Sequence, residues 1–212
     1  MPSFKSLSPD DPLLLTSPLV RGVLRTAEYI EANGGIGLTT SGAFNRKFVH
    51  WAAAAFDWPG YSEEDLFAVN RVLNEWDFPP VGDIHVLLKV LKLGRHYKGK
   101  FVLTKAGKDL VADPGRLFSQ LAPHFLFRLD HGAHLRAEDQ IFGNWDIFLN
   151  VINVEADHGT SRFALRKALY GDPDPSGSVY DATASVLYVT VLRPLCWAGL
   201  LAEGPPDGSP SN

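Results

Sequence analysis

At 212 residues the chain can form one domain or two small ones, and its 45% hydrophobic and 21% charged residues are those of an ordinary globular protein. A single cysteine, Cys196, excludes an internal disulfide and a Cys-based zinc site and fits a reducing cytoplasm; the N-terminus lacks a secretory pattern, and no apolar run reaches the ~18 residues of a membrane span. Net charge is −4, but Lys89 to Lys108 holds seven of the 20 basic residues and no acid, which leaves 13 basic against 24 acidic residues, a net of −11, for the rest.

In chain order, Met1 to Pro18 contains four prolines and an Asp10-Asp11 pair, and residues 1–17 read as an extended arm. Ser17-Pro18 is a helix start, with Ser17 capping and Pro18 in the first turn. Leu19, Val23, Ala27 and Ile30 then recur at helical spacing until Asn33-Gly34-Gly35 stops them. Ile36 to Thr39 reads as a brief strand. Thr40 or Ser41 is expected to cap a helix through Phe56, with Phe44, Phe48, Trp51, Ala52 and Ala55 inward. Trp58-Pro59-Gly60 makes a turn, leaving Trp58 as the exposed tryptophan of the five. Ser62 opens a further helix whose stripe is Leu66, Val69, Leu73 and Trp76, and Phe78-Pro79-Pro80 breaks it.

The next helix, Asp83 to Leu93, places Ile84, Leu87, Leu88 and Leu91 inside and His85, Lys89 and Lys92 outside, with Gly94 as its stop. Arg95 to Tyr97 and Lys100 to Leu103 flank Lys98-Gly99 as a β-hairpin, and Thr104 returns the chain to a helix. Leu38-Thr39-x-x-Gly42 and Leu103-Thr104-x-x-Gly107 echo each other, which places two similar strand exits side by side in one small sheet.

The second half reads as helices: from Asp113 through Leu121, from Gln140 to Ala156, from Thr160 to Leu169 with Arg162, Arg166 and Lys167 outside, and from Val179 towards Leu195 with a kink at Pro194. The segment from Gly171 to Gly177 is a loop, and residues 204–212 form a disordered tail.

Helix, short strand, helices, basic hairpin and helix, with the strings Leu38-Thr39-Thr40-Ser41-Gly42, Leu91-Lys92-Leu93-Gly94-Arg95 and Gly99-Lys100-Phe101-Val102-Leu103-Thr104-Lys105-Ala106-Gly107, resemble the winged-helix superfamily, as found in uncharacterised bacterial proteins of that fold. The resemblance covers about half the chain. It implies a mainly α protein: a winged-helix-like domain over 18–123 with a small β-hairpin wing, then an all-helical half over 124–203, either a helical domain or a second winged-helix-like half. It further implies a recognition helix at Asp83 to Leu93, and a nucleic-acid surface made of His85, Lys89, Lys92, Arg95, Lys98, Lys100 and Lys105. Duplex DNA is the implied partner, with a homodimer through the C-terminal helices. Two features depart from that pattern. Glu63, Glu64, Asp65, Glu75 and Asp77 lie close in sequence, and Lys and His hold phosphate better than they read bases.

No catalytic constellation stands out, so the chain is expected to be non-catalytic and to need no cofactor. His131-x-x-His134, near Asp130, Glu138 and Asp139, has a ligand-like spacing, but Gly132 breaks the helix it would need and a solvent loop is the default. Cys196 sits among apolar neighbours as a structural thiol. A winged-helix scaffold that binds protein and not DNA stays open as the alternative.

Overall fold

The computed structural model describes residues 4–133, 135, 141–173 and 181–204. The N-terminal arm is not extended throughout. Asp11 caps a one-turn helix, α1 (Pro12–Thr16), and Leu14 is buried. Upstream of it the arm lies along a later helix: Phe4 packs edge-on to Phe118, and Ser119 Oγ donates to the Lys5 carbonyl at 3.2 Å. Helix α2 (Pro18–Asn33) begins on Ser17, whose hydroxyl accepts the Val20 N–H, and ends on Gly34 in the left-handed region, φ 63°.

Strand β1 (Ile36–Gly37) is shorter than expected, and the segment after it does not enter a helix at Thr40 or Ser41. Instead Thr39 Oγ1 accepts the Ala43 N–H, Leu38 bridges Phe44, and helix α3 (Arg46–Ala55) waits for Asn45 as its cap. A hydroxyl free to close a turn on its own loop competes with capping a helix, and here the turn wins. Helix α4 (Glu63–Val69) is capped by Ser62 as expected but stops at Asn70. The stripe drawn through Leu73 and Trp76 is therefore broken. Val69 is 81% exposed and Trp76 is 75% exposed, whereas Leu73 is buried from irregular chain. Trp58 is the reverse case, buried against Gly22, Phe56 and Trp197.

A 3₁₀ turn, Glu75–Asp77, leads into α5 (Pro79–Val90), so Pro79-Pro80 starts the focal helix and does not break the chain. Helix α5 ends through Lys92, φ 57°, with the Leu93 N–H on the Leu88 carbonyl; Gly94 already belongs to β2. Strands β2 (Gly94–Tyr97) and β3 (Lys100–Leu103) form the expected hairpin, and β1 pairs with β3 to give a three-stranded antiparallel sheet in the order β1-β3-β2. The two Leu-Thr segments do sit on neighbouring strands, but those strands run oppositely and exit at opposite ends.

The hairpin turn has Lys98 at φ 48° and Gly99 at φ 74°, both left-handed, which is the two-residue geometry that favours Asn-Gly. Lys98→Asn is therefore expected to stabilise the protein by about 0.5–1 kcal/mol, read as a rise of ~1–4 °C in Tm. A variant that melts no higher would show that the turn holds no strain.

Helix α6 (Lys105–Val111) is capped by Thr104, and α7 (Pro114–Arg128) runs straight through residue 123, carrying Pro123 inside it. Helices α8 (Trp145–Glu155) and α9 (Arg162–Tyr170) follow. Arg166 does not face water as expected: it is 9% exposed and pairs with Asp181 at 2.9 Å, while its other nitrogen donates to the Gly171 carbonyl. Helix α10 (Ala182–Leu187), a π turn at Tyr188–Leu192 and α11 (Arg193–Ala198) form one continuous rod. The widened turn sits where Pro194 cannot donate a backbone hydrogen bond, so the proline is absorbed within the rod. Helix α11 packs back on α2 and α7, with Trp197 against Trp58 and Tyr61, so one hydrophobic core joins the two halves. The fold is mainly α with a small sheet and a helical C-terminal half. No helix among the described residues is long and apolar enough to cross a membrane.

Candidate functional site

The seven cations of the central stretch are all exposed: Lys89 and Lys92 at the end of α5, Arg95, Lys98 and Lys100 on the hairpin, and Lys105 and Lys108 on α6. Among the described residues none pairs with a carboxylate. The strand period of two sorts the hairpin into faces. Phe101 and Leu103 are buried on the inner face, which His96 shares through its pairing with Phe101, and Arg95, Tyr97 and Lys100 take the other. Tyr97 is 49% exposed, and both the Arg95 guanidinium, at 5.2 Å, and Lys98 Nζ, at 5.3 Å, lie over its ring. The hairpin tip is thus an aromatic plate edged by two cations.

Lys100 is used differently. Its Nζ lies 3.3 Å from the Gly34 carbonyl and 3.4 Å from that of Asn33, where it satisfies the C-terminal end of α2. It holds the sheet to that helix. At the opposite end of the hairpin, Thr104 Oγ1 donates to the Lys92 carbonyl at 2.9 Å, which ties the end of α5 to the start of α6 and brings their lysines to the hairpin base.

His85 departs most from expectation. It is 5% exposed, not on the open face of α5. The reason is that α5 is covered by α2 and α7 as well as by the 3₁₀ turn and β2, so its buried stripe is wide enough to include His85 beside Ile84 and Leu88. The imidazole stacks on Phe44, with centroids 3.9 Å apart and planes 15° from parallel. Its Nδ1 is 3.1 Å from both oxygens of Glu75, and Glu75 also accepts the Phe44 N–H. Its Nε2 is 3.2 Å from Nε2 of His96 on β2, which reaches solvent. In the neutral ring, with Nδ1–H donated to the carboxylate, Nε2 of His85 carries the lone pair and accepts from His96 Nε2–H. The His96 pKa is lowered by burial first, then by His85 and Lys89, with Glu75 opposing.

Glu75 is therefore not an acid facing the cationic surface. It is buried and committed to His85 and Phe44. On its far side it lines a cleft of about 540 Å³ whose other walls include Thr39, Arg46, Lys47, Asn74 and Trp76. No sequence spacing announced Glu75, His85 and His96 as neighbours. They come from a 3₁₀ turn, a helix and a strand that only the sheet brings together.

The remaining candidates are structural. His131 Nε2 is 2.7 Å from the Phe125 carbonyl, and burial lowers its pKa to about 4. Its sequence neighbour His134, with Glu138 and Asp139, lies outside the described residues, as do positions 174–177 of the expected loop and the tail from 205. Burial lifts the Cys196 thiol to about 12, which makes it a poor nucleophile. No group of three or more metal-ligating side chains occurs among the described residues.

Two domain models match this chain, the Y4jL N-terminal domain over residues 15–116 and the y4jL C-terminal domain over 135–210. It is 42% identical over 172 residues to the uncharacterized protein y4jL of Sinorhizobium fredii (strain NBRC 101917 / NGR234), an alignment that spans 79% of this chain and 78% of that protein. No solved structure matches it.

Proposed function

The chain belongs to the Y4jL family, and we propose that its N-terminal domain, which spans the hairpin and all seven cations, is a winged-helix module that binds duplex nucleic acid through the six of them not held at the end of α2. The observation that carries the reading is the set of exposed lysines and arginine within 20 residues, none neutralised by a carboxylate among the described residues. Such a surface attracts a polyanion and gains affinity by releasing counterions. Element order supports it: α2, β1, α3, α5, β2 and β3, with β1 added to the hairpin through β3, follow the order expected of a helix-turn-helix with a wing, with α4 and the 3₁₀ turn inserted between α3 and α5. Lys92 and Lys98 add support, since each holds a cation at a left-handed position where Gly or Asn costs less.

With His85 buried, base readout loses one of its expected residues. The exposed face of α5 carries Lys89 with Val86, 45% exposed, and Val90, 62% exposed. That face suits phosphate contact and apolar packing better than bidentate base recognition. The same valines favour a second reading, a winged-helix module that docks protein.

Fluorescence anisotropy with a labelled duplex separates the two. If about four phosphates are contacted, raising salt from about 50 to 200 mM should weaken binding roughly 10²-fold. Lys89→Glu with Lys98→Glu should abolish most of the affinity at the lower salt. No binding at low salt, or no response to the double substitution, leaves the protein-docking reading.

A further inference from the structure

The strongest feature not used by the cationic surface is the pair of imidazoles between α5 and β2. Their Nε2 atoms face each other at 3.2 Å, one buried and one open to solvent. Two nitrogens bonded to one tetrahedral zinc at ~2.0–2.1 Å stand about 3.3–3.4 Å apart, so the observed spacing is close to that of a metal-bound pair. Glu75 supplies what a metal-binding histidine needs behind it. By taking the Nδ1–H of His85, it fixes the ring and directs the Nε2 lone pair outward. Phe44 holds the same ring flat from one side at 3.9 Å, so the ligand is rigid before any ion arrives.

From this geometry we propose that His85 Nε2 and His96 Nε2 form a binding site for a borderline divalent ion, with zinc as its type, and that Glu75 is the positioning residue behind it. The ion enters from the His96 side. Gly42, at φ 85°, lies over the His96 ring edge, where an added Cβ would stand 3.3 Å from Cε1, so the absent side chain keeps that approach uncovered. Binding requires His96 to move its proton from Nε2 to Nδ1, after which both Nε2 lone pairs point at the ion; no net proton is released. Since no third His, Cys, Asp or Glu joins the pair among the described residues, water completes the shell and the site is open. Lys89 lies near enough to act on His96 electrostatically, and its charge opposes a second cation, which favours modest affinity. The site does not depend on the nucleic-acid reading.

Titration of the purified chain with Zn²⁺ by calorimetry tests it, with Co²⁺ absorption as a probe of the ligand field. One equivalent should bind in the micromolar range. His96→Ala should lose it at least tenfold, and His96→Gln should do the same if the alanine variant melts early. Glu75→Gln should weaken it by about 10–100-fold, the range usual for such a supporting group. Zinc should raise the Tm of the wild type but not of the His96 variants. Absence of binding at about 1 mM Zn²⁺, or equal binding by wild type and His96→Ala, overturns the site.

Discussion

Gly107→Ala is expected to destabilise the protein by about 3 kcal/mol or more, although helix propensity alone assigns alanine a gain of about 1 kcal/mol in the interior of a helix. Gly107 is the third residue of α6, and a Cβ built on it would overlap the Leu93 carbonyl oxygen and lie 2.9 Å from the Leu93 carbonyl carbon. Backbone cannot swing aside as a side-chain end can. That same oxygen accepts the Thr104 N–H at 2.9 Å and the Thr104 hydroxyl at 3.2 Å, so moving it loosens the hairpin base and the cap of α6 together. Overpacking costs about 1–3 kcal/mol when neighbours can yield, and this site sits at the upper end because two hydrogen bonds share the displaced atom. Urea unfolding of Gly107→Ala beside Ala106→Gly makes the comparison direct. Ala106 is exposed in the same turn and should lose only about 1 kcal/mol. Equal losses in the two variants would mean that α6 does not press on Leu93.

Asp83→Asn is expected to stabilise the protein at pH 8 by about 2 kcal/mol, and to change little near pH 4. Burial raises the Asp83 pKa to about 7, while Arg193 lowers it and only partly offsets the burial. Folding thus favours the protonated carboxyl. The contribution of this group is greatest below its unfolded value near 4 and is lost as pH climbs to about 7. About three units correspond to ~4 kcal/mol, which partial exposure and relaxation reduce to roughly half. His131 works in the other direction. Its pKa is lowered to about 4, so its contribution is full above the ordinary histidine value and is lost as pH falls from about 6.5 to 4. Both groups feel Arg193, on the rod that joins the two halves. In the wild type the two trends oppose each other over the shared window, and stability should be nearly flat there. Asp83→Asn should leave a curve that rises from pH 4 to 6.5 and then levels. Urea midpoints at pH 4.5, 6 and 8 read this out, and a variant that is no more stable than wild type at pH 8 would place Asp83 in contact with solvent.

Much of the local structure is legible without coordinates. Ser17, Ser62, Thr104 and Gly34 act at the helix ends assigned to them, because a cap bonds within three residues of itself and needs no distant partner. The hairpin is legible for the same reason. The misreadings arise where a segment had two local options or where burial depends on a distant element. The Thr39 and Ser41 loop preferred its own turn to a cap. The stripe through Val69 and Trp76 presumed a helix that Asn70 ends. Trp58, beside Pro59-Gly60, looked exposed because its cover comes from Gly22 and from Trp197, about 140 residues away in sequence.

The amino-acid sequence by itself determined the mainly helical character, the hairpin and the run of seven cations, since composition, period and turn chemistry act over a few residues. Tertiary structure decided which of those residues are available. Lys100 was turned to the end of α2, Arg166 was buried on Asp181, and His85 was taken off the surface of α5 to join Glu75 and His96. Helical spacing says which residues share a face, but not how many neighbouring elements cover it. For α5 the covering elements are α2, α7, the 3₁₀ turn and β2, and that places a histidine expected as a base contact inside a polar chain that runs from the interior to the hairpin.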